Sequence, residues 1–207
     1  MKLKQSLWLA VFFIVLAWSA WNTHDYPTWW LEIIPAIAAL VILVITRHRF
    51  PLTELAYWLI LLHAIILMVG GHYTYAEVPV GDWFRDLNGG TRNNYDKLGH
   101  LAQGFIPAII AREVLIRNRV VSVRGWLSVI IVSICLAISA FYELIEWWVA
   151  LLSEEAAESF LGTQGYVWDT QSDMFLALIG AVLALVVFSK LHDKQLNRLE
   201  AAGVEPK

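Results

Sequence analysis

Six apolar runs, at about 3–21, 30–46, 54–71, 97–114, 125–151 and 168–191, recur along the chain between short polar connections. A helix needs about 20 apolar residues to cross roughly 30 Å of hydrocarbon, and each run is of that order. The pattern predicts an all-α, polytopic membrane helix bundle of about six transmembrane helices, organised as a single transmembrane domain over 1–207. The longest connection, 72–96, is rich in Gly, Asn and charge and reads as a loop, which leaves no room for a separate soluble domain. Lys2 and Lys4 ahead of the first run resemble a secretory signal, but cleavage after Ala20 would put Trp18 where a small residue is wanted. The run is therefore read as a first transmembrane helix.

Composition agrees, with 58% hydrophobic residues, 16% charged residues and a mean hydropathy of +0.58. The charge that remains is unevenly placed. Twelve of the fifteen Lys and Arg residues, from Lys2 and Lys4 to Lys207, fall on one side of the predicted membrane, and only Arg85, Arg92 and Lys97 on the other. That bias puts both termini in the cytoplasm. The opposite loops, 22–29, 72–96 and 152–167, then face the periplasm, the last with Glu154, Glu155 and Glu158 and no basic residue. Trp18, Trp21, Trp29, Trp30, Trp83, Trp147, Trp148 and Trp168 gather near that boundary, as an interfacial aromatic belt requires.

Against this background six ionisable residues stand out, because Asp96, His100, Glu143, Glu146, Asp169 and Asp173 lie in or at the edge of apolar runs. Ionisable groups at membrane depth are costly and mark a working site by default. Asp96/His100 and Asp169/Asp173 are four apart and Glu143/Glu146 three apart, so each pair projects from one helix face. At about 1.5 Å of rise per residue, His100 lies about 6 Å below the periplasmic surface, Glu146 and Asp173 about 8 Å, and Glu143 about 12 Å. One shared level on three helices points to one site.

The neighbouring residues bear on its chemistry. Pro107 cannot donate to the Gln103 carbonyl, which is left free one turn beneath His100. Gln103 and Tyr142 are candidate substrate-binding residues, and Ser172 adds a hydroxyl. His72 at the outer end of the third run could reach in. His63, mid-helix with no acid near it in sequence, reads as a packing residue. Carboxylates with one imidazole and no thiolate form a hard donor set, suited to Mg, Mn or Ca, or to Zn or Fe if His100 ligates. The candidate metal ligands are His100, Glu143, Glu146 and Asp173, for a divalent ion of unassigned identity, with Asp96 and Asp169 as candidate catalytic or orienting carboxylates. Taken singly, Asp96 and Asp169 also read as helix caps. Cys135 stands alone, so no intrachain disulfide forms. Ala177, Gly180, Ala181 and Ala184 give the last run a small-residue face for close packing. The basic stretch 112–124 is explained by topology. No phosphate-cradling loop and no nucleic-acid module is present.

The stretches Asp-Lys-Leu-Gly-His-Leu-Ala-Gln-Gly-Phe at 96–105, Tyr-Glu-Leu-Ile-Glu-Trp at 142–147 and Leu-Gly-Thr-Gln-Gly-Tyr-Val-Trp-Asp-Thr-Gln-Ser-Asp-Met at 161–174 closely resemble the uncharacterised YjdF-like family of enterobacterial inner-membrane proteins. That resemblance implies an inner-membrane location and no particular activity. More distantly, Asp96, Lys97 and His100, then Glu143 or Glu146, then Asp169 and Asp173 followed by Gly180 are similar to the pattern of VanZ-like membrane proteins. That likeness suggests envelope lipid or cell-wall precursor chemistry.

Three readings follow. The first is a metal-dependent hydrolase or transferase acting on a lipid or lipid-linked substrate. The second is a transporter or lipid-carrier binder whose acids move protons or cations; it expects an access path from both sides, and the inner halves of the last three helices are read as free of acids. The third is a structural protein braced by a polar network.

Overall fold

The computed structural model describes residues 2–152 and 167–204. Most of the acidic connection 152–167, with Glu154, Glu155 and Glu158, lies outside the described residues, as does Lys207. Six long helices make up most of the described chain: α1 (Lys2–Ala20), α2 (Tyr26–Thr46), α3 (Glu54–Tyr73), α5 (Tyr95–Arg117), α6 (Arg124–Leu152) and α7 (Asp169–Ala201). Between α3 and α5 come a 3₁₀ turn, Tyr75–Glu77, and a short helix, α4 (Pro79–Leu87). The 72–96 connection is therefore not a plain loop.

Local chemistry sets several ends away from the hydropathy boundaries. Asp25 accepts from the Thr28 amide and Pro27 sits in the first turn, so α2 starts at Tyr26, four residues before its apolar run. Residues after Leu191 are too polar to read as membrane, yet α7 continues to Ala201 because His192 and Leu196 on one face are buried. Five of the long helices are apolar enough to cross a membrane. The exception is α5, which carries Asp96, Lys97, Arg112, Glu113 and Arg117. Its polar groups are hidden by its position, for it touches α3, α6 and α7 at once.

Side-chain bonds fix the directions. Lys4 pairs with Glu54 and Trp8 donates to the Tyr57 carbonyl, while Trp18 stacks on His72, so α1 runs parallel to α3. Tyr95 reaches the Ile66 carbonyl and Glu113 reaches Thr53, so α5 runs antiparallel to α3. Arg92 meets Asp169 and Arg112 meets Asp193, so α7 runs parallel to α5. One end of the bundle, the terminal end, collects the beginnings of α1, α3 and α6 and the tail of α7. The site end collects the α1–α2 turn, α4 and the starts of α5 and α7.

Packing divides in two. Trp8, Phe12, Trp29, Ile33 and Met68 join α1, α2 and α3, whereas Leu59, Ile106, Ile109, Ile131, Cys135 and Ala181 join α3, α5, α6 and α7. The α5–α7 contact is the closest. A Cβ on Gly104 would lie 1.8 Å from the Ala177 carbonyl oxygen and one on Gly180 would lie 2.2 Å from that of Leu101, so the two backbones touch where one or the other lacks a side chain. The small face read at Ala177, Gly180, Ala181 and Ala184 is this surface. Large apolar side chains such as Phe13, Ile34, Ile45, Phe141 and Val186 are exposed on the perimeter, as a lipid-bathed bundle requires.

The terminal end also holds a buried charged network. Glu113 is 0% exposed and accepts from the Thr53 amide and hydroxyl at 2.9 and 2.7 Å and from Arg117 at 2.9 Å. His192, also 0% exposed, joins its Nε2 to Glu113 at 3.1 Å and its Nδ1 to Arg112 at 3.1 Å, and Arg112 continues to Asp193 at 2.7 Å. Arg117 further donates to the Pro51 carbonyl and lies over the Phe50 ring. Glu113 thus corrects the reading that the inner halves of the last helices lack acids. It is hard to see in sequence because it lies between Arg112 and Arg117, where topology alone explains the charge.

Candidate functional site

At the site end a cavity of about 190 Å³ opens among α2, α3, α5, α6 and α7. The eight candidate catalytic, metal-ligating and substrate-binding residues line it, Asp96, His100, Gln103, Tyr142, Glu143, Glu146, Asp169 and Asp173, while Ser172 does not. Its floor reaches Pro35, His63, Leu67, Pro107 and Ile138 near mid-bundle. His63, read as packing, therefore borders the same space. His72 does not reach in, because its Nδ1 lies 3.1 Å from the Ser19 carbonyl and its ring rests on Trp18.

His100 occupies the centre and is 4% exposed. One turn earlier on the same helix Asp96 lies 3.3 Å from its Nε2, while Glu143 of α6 lies 3.8 Å from its Nδ1, beyond hydrogen-bonding reach. An Nε2–H donated to Asp96 leaves the Nδ1 lone pair facing Glu143. Two sets of ligand atoms can each be drawn within 4.8 Å of one another, His100 with Glu143 and Glu146, and His100 with Asp96 and Asp173. Among the described residues, His100 Nδ1, Gln103 Oε1, Glu143 Oε1 and Asp173 Oδ1 are buried side-chain atoms without a hydrogen-bond partner. Buried polar atoms are nearly always paired, so four orphans around one cavity call for an explanation.

The rim differs from the centre. Arg92, on the segment between α4 and α5, donates to both oxygens of Asp169 at 2.8 and 2.9 Å. Lys97 adds 3.5 Å to Asp169 and 3.7 Å to Asp173, and donates to Ser172 Oγ at 3.0 Å. Asp169 is thus held by cations, whereas Asp173 has Lys97 only at ion-pair distance and its Oδ1 accepts no hydrogen bond. The opposite wall carries Glu32, 4% exposed, which accepts from the Tyr142 hydroxyl at 3.3 Å. Tyr142 sets its ring edge-on to His100 at 6.2 Å. Tyr75 completes this wall from the 3₁₀ turn, and burial, then Glu32, pushes its phenol well above the ordinary range, so it stays protonated.

Glu32, Arg92, Tyr75 and His63 are among the lining residues that sequence reasoning left out of the site. Glu32 had a signal, a lone acid within the apolar run 30–46. The start of α2 at Tyr26 places it well inside the helix, six residues from the first turn's opening residue.

The model for the family described as a predicted membrane protein (DUF2238) matches residues 4–194. The chain belongs to this family. The DUF2238 chain is also 50% identical over 185 residues to the inner membrane protein YjdF of Escherichia coli (strain K12), an alignment covering 89% of this chain and 88% of that one. No solved structure matches the DUF2238 chain. These matches support a multi-pass, inner-membrane protein, in agreement with the resemblance read in sequence; the VanZ-like relation is not shown by them.

Proposed function

We propose that this chain is a metal-dependent hydrolase or transferase acting on the headgroup of a lipid or lipid-linked envelope substrate at the periplasmic face. The observation that carries the reading is the pair of orphaned atoms on His100 and Glu143, Nδ1 and Oε1, 3.8 Å apart in a buried cavity with the other imidazole nitrogen held by Asp96. Metal-bound histidines typically donate their second nitrogen to a carboxylate, which fixes the tautomer and raises ligand basicity. On this reading His100, Glu143 and Glu146 hold the ion, Asp173 closes the set from α7, and Asp96 orients His100. Charge favours it as well. Six carboxylates, Glu32, Asp96, Glu143, Glu146, Asp169 and Asp173, line the cavity, with Arg92 at its rim and Lys97 beside Asp169 and Asp173, and a divalent ion offsets part of that surplus.

The ion's contribution would be to polarise the scissile group or lower the pKa of a bound water. Gln103 and Tyr142 are placed to orient a substrate hydroxyl or phosphate oxygen, and Asp169, engaged by Arg92, holds the rim instead of taking a proton. The transport reading needs a polar path to the terminal end. Below the cavity Ile106, Ala108 and Ile109 are 0 to 2% exposed in an apolar layer that separates it from Arg112 and Glu113. A purely structural network would satisfy its own members, and this one leaves four atoms unpaired.

Elemental mass spectrometry of protein purified without chelators tests the reading. Near-stoichiometric metal in the wild type, lost in Glu143→Gln/Glu146→Gln while that variant still folds, is expected. Metal-free wild type that Mn, Zn and Mg all fail to stabilise would overturn it.

A further inference from the structure

The short helix α4 has two faces of opposite character. Val80, Trp83, Phe84 and Leu87 fall at i, i+3, i+4 and i+7 and are 44, 57, 54 and 61% exposed. Asp82, Arg85 and Asp86 occupy the other face, joined by Arg85–Asp82 at 2.6 Å and Arg85–Asp86 at 2.9 Å. Four large apolar side chains on one exposed face of a nine-residue helix, about 13 Å long, need a covering. The connectivity says what lies beside it. α3, apolar enough to cross a membrane, ends at Tyr73, and α5, packed beside it, begins at Tyr95, both at the site end, so α4 is pinned at both ends to the level where that bundle ends.

We infer that α4 lies along the surface of the leaflet at the site end, with Val80, Trp83, Phe84 and Leu87 among the lipids, and that this seating holds the rim of the cavity in place. Amphipathic helices lying in an interface bury their apolar face about 5–10 Å into the headgroup boundary. The link to the rim is Asn93. Its amide donates to the Val78 carbonyl at 2.9 Å and to Asp82 at 3.0 Å, and its Oδ1 accepts from the Tyr95 amide at 3.0 Å. One side chain thus joins the start of α4 to the start of α5, and its neighbour Arg92 grips Asp169. The joint depends on Gly81, where a Cβ would lie 1.8 Å from Asn93 Oδ1. A helix resting on lipid therefore fixes the guanidinium at the cavity mouth, and a ligand presented by that leaflet meets the rim first.

Spin labelling in nanodiscs tests this without touching the cavity. Cys135 is 0% exposed and needs no removal, and the unsubstituted protein controls for its silence. Nitroxides are placed through Val80→Cys, Phe84→Cys and Leu87→Cys on one face and Asp86→Cys on the other. The inference expects oxygen collisions to exceed nickel-chelate collisions at the first three positions and the order to reverse at Asp86→Cys. Nickel preference at all four would put α4 in water and overturn it. Protection from both reagents with dipolar coupling between labels would replace lipid by a second copy of the chain, and would also overturn it. A label at Thr91→Cys tests the joint: its mobility should rise when Gly81→Ala is added, and unchanged mobility would break the link between α4 and the rim.

Discussion

Helix α5 buries charge at both ends, and the two ends are built to opposite rules. At the terminal end Glu113 is fully enclosed and every neighbour answers it, with Thr53, Arg117 and His192 converging on its two oxygens and Arg112 tying His192 to Asp193. About four turns away Asp96, His100, Glu143, Glu146 and Asp173 crowd a cavity and leave atoms unpaired. Burial alone does not distinguish them, since Glu143 is 8% and Asp173 4% exposed. Satisfaction does. A satisfied network rigidifies, and an unsatisfied one stores the free energy that a ligand can collect on binding.

The sharpest way to break this comparison is to remove one acid from each end. Glu113→Ala should cost about 3–5 kcal/mol by stranding Arg117 and His192 in the core, read as a large fall in melting temperature in detergent. Glu143→Gln, in metal-stripped protein, should change stability by no more than about 1 kcal/mol, in the stabilising direction, because it discharges an orphan. Equal losses would show that both ends are structural. Next in size is the response to metal: saturating the wild type at about 100 times Kd should stabilise it by about 2.7 kcal/mol, chelator should reverse the gain, and Glu143→Gln should show neither. Asp96→Asn should keep the fold and weaken metal affinity about 10- to 100-fold in a titration, as loss of an orienting carboxylate does. Arg92→Gln should have the smallest effect, about 1 kcal/mol or less, since Lys97 still faces Asp169 and the pair is partly open to water.

Most of the bundle was readable because membrane crossing imposes a coarse rule on long windows. All six runs became helices, and α5 did so although it alone of the six is not apolar enough by its own composition to cross a membrane. What the windows could not register was set by short-range chemistry. The start of α2 depends on the Asp25 cap, the end of α7 on a two-sided helix beyond the lipid, and α4 on nine residues too few to establish a period. Candidate site residues were readable where an ionisable side chain interrupts an apolar run, as His100, Glu143, Glu146 and Asp173 do. Glu32 stands alone on its helix, without the paired acid or imidazole that marks the other three, and Arg92 approaches Asp169 across 77 positions in sequence.

The parallel, backbone-close pairing of α5 with α7 has a consequence for how the chain enters the membrane. α5 emerges from the ribosome with five charged residues and without the partners that neutralise several of them, because Asp169, His192 and Asp193 belong to a helix made some fifty residues later. Alone at the translocon, α5 is a poor candidate for release into lipid. It must wait at the protein-lined exit, or lie provisionally against α3, until α7 arrives and closes both its ends together. Truncation before Asp169 should therefore yield a nascent chain with α1, α2 and α3 integrated and α5 still extractable, an order of assembly written into which helix carries the charges and which carries their answers.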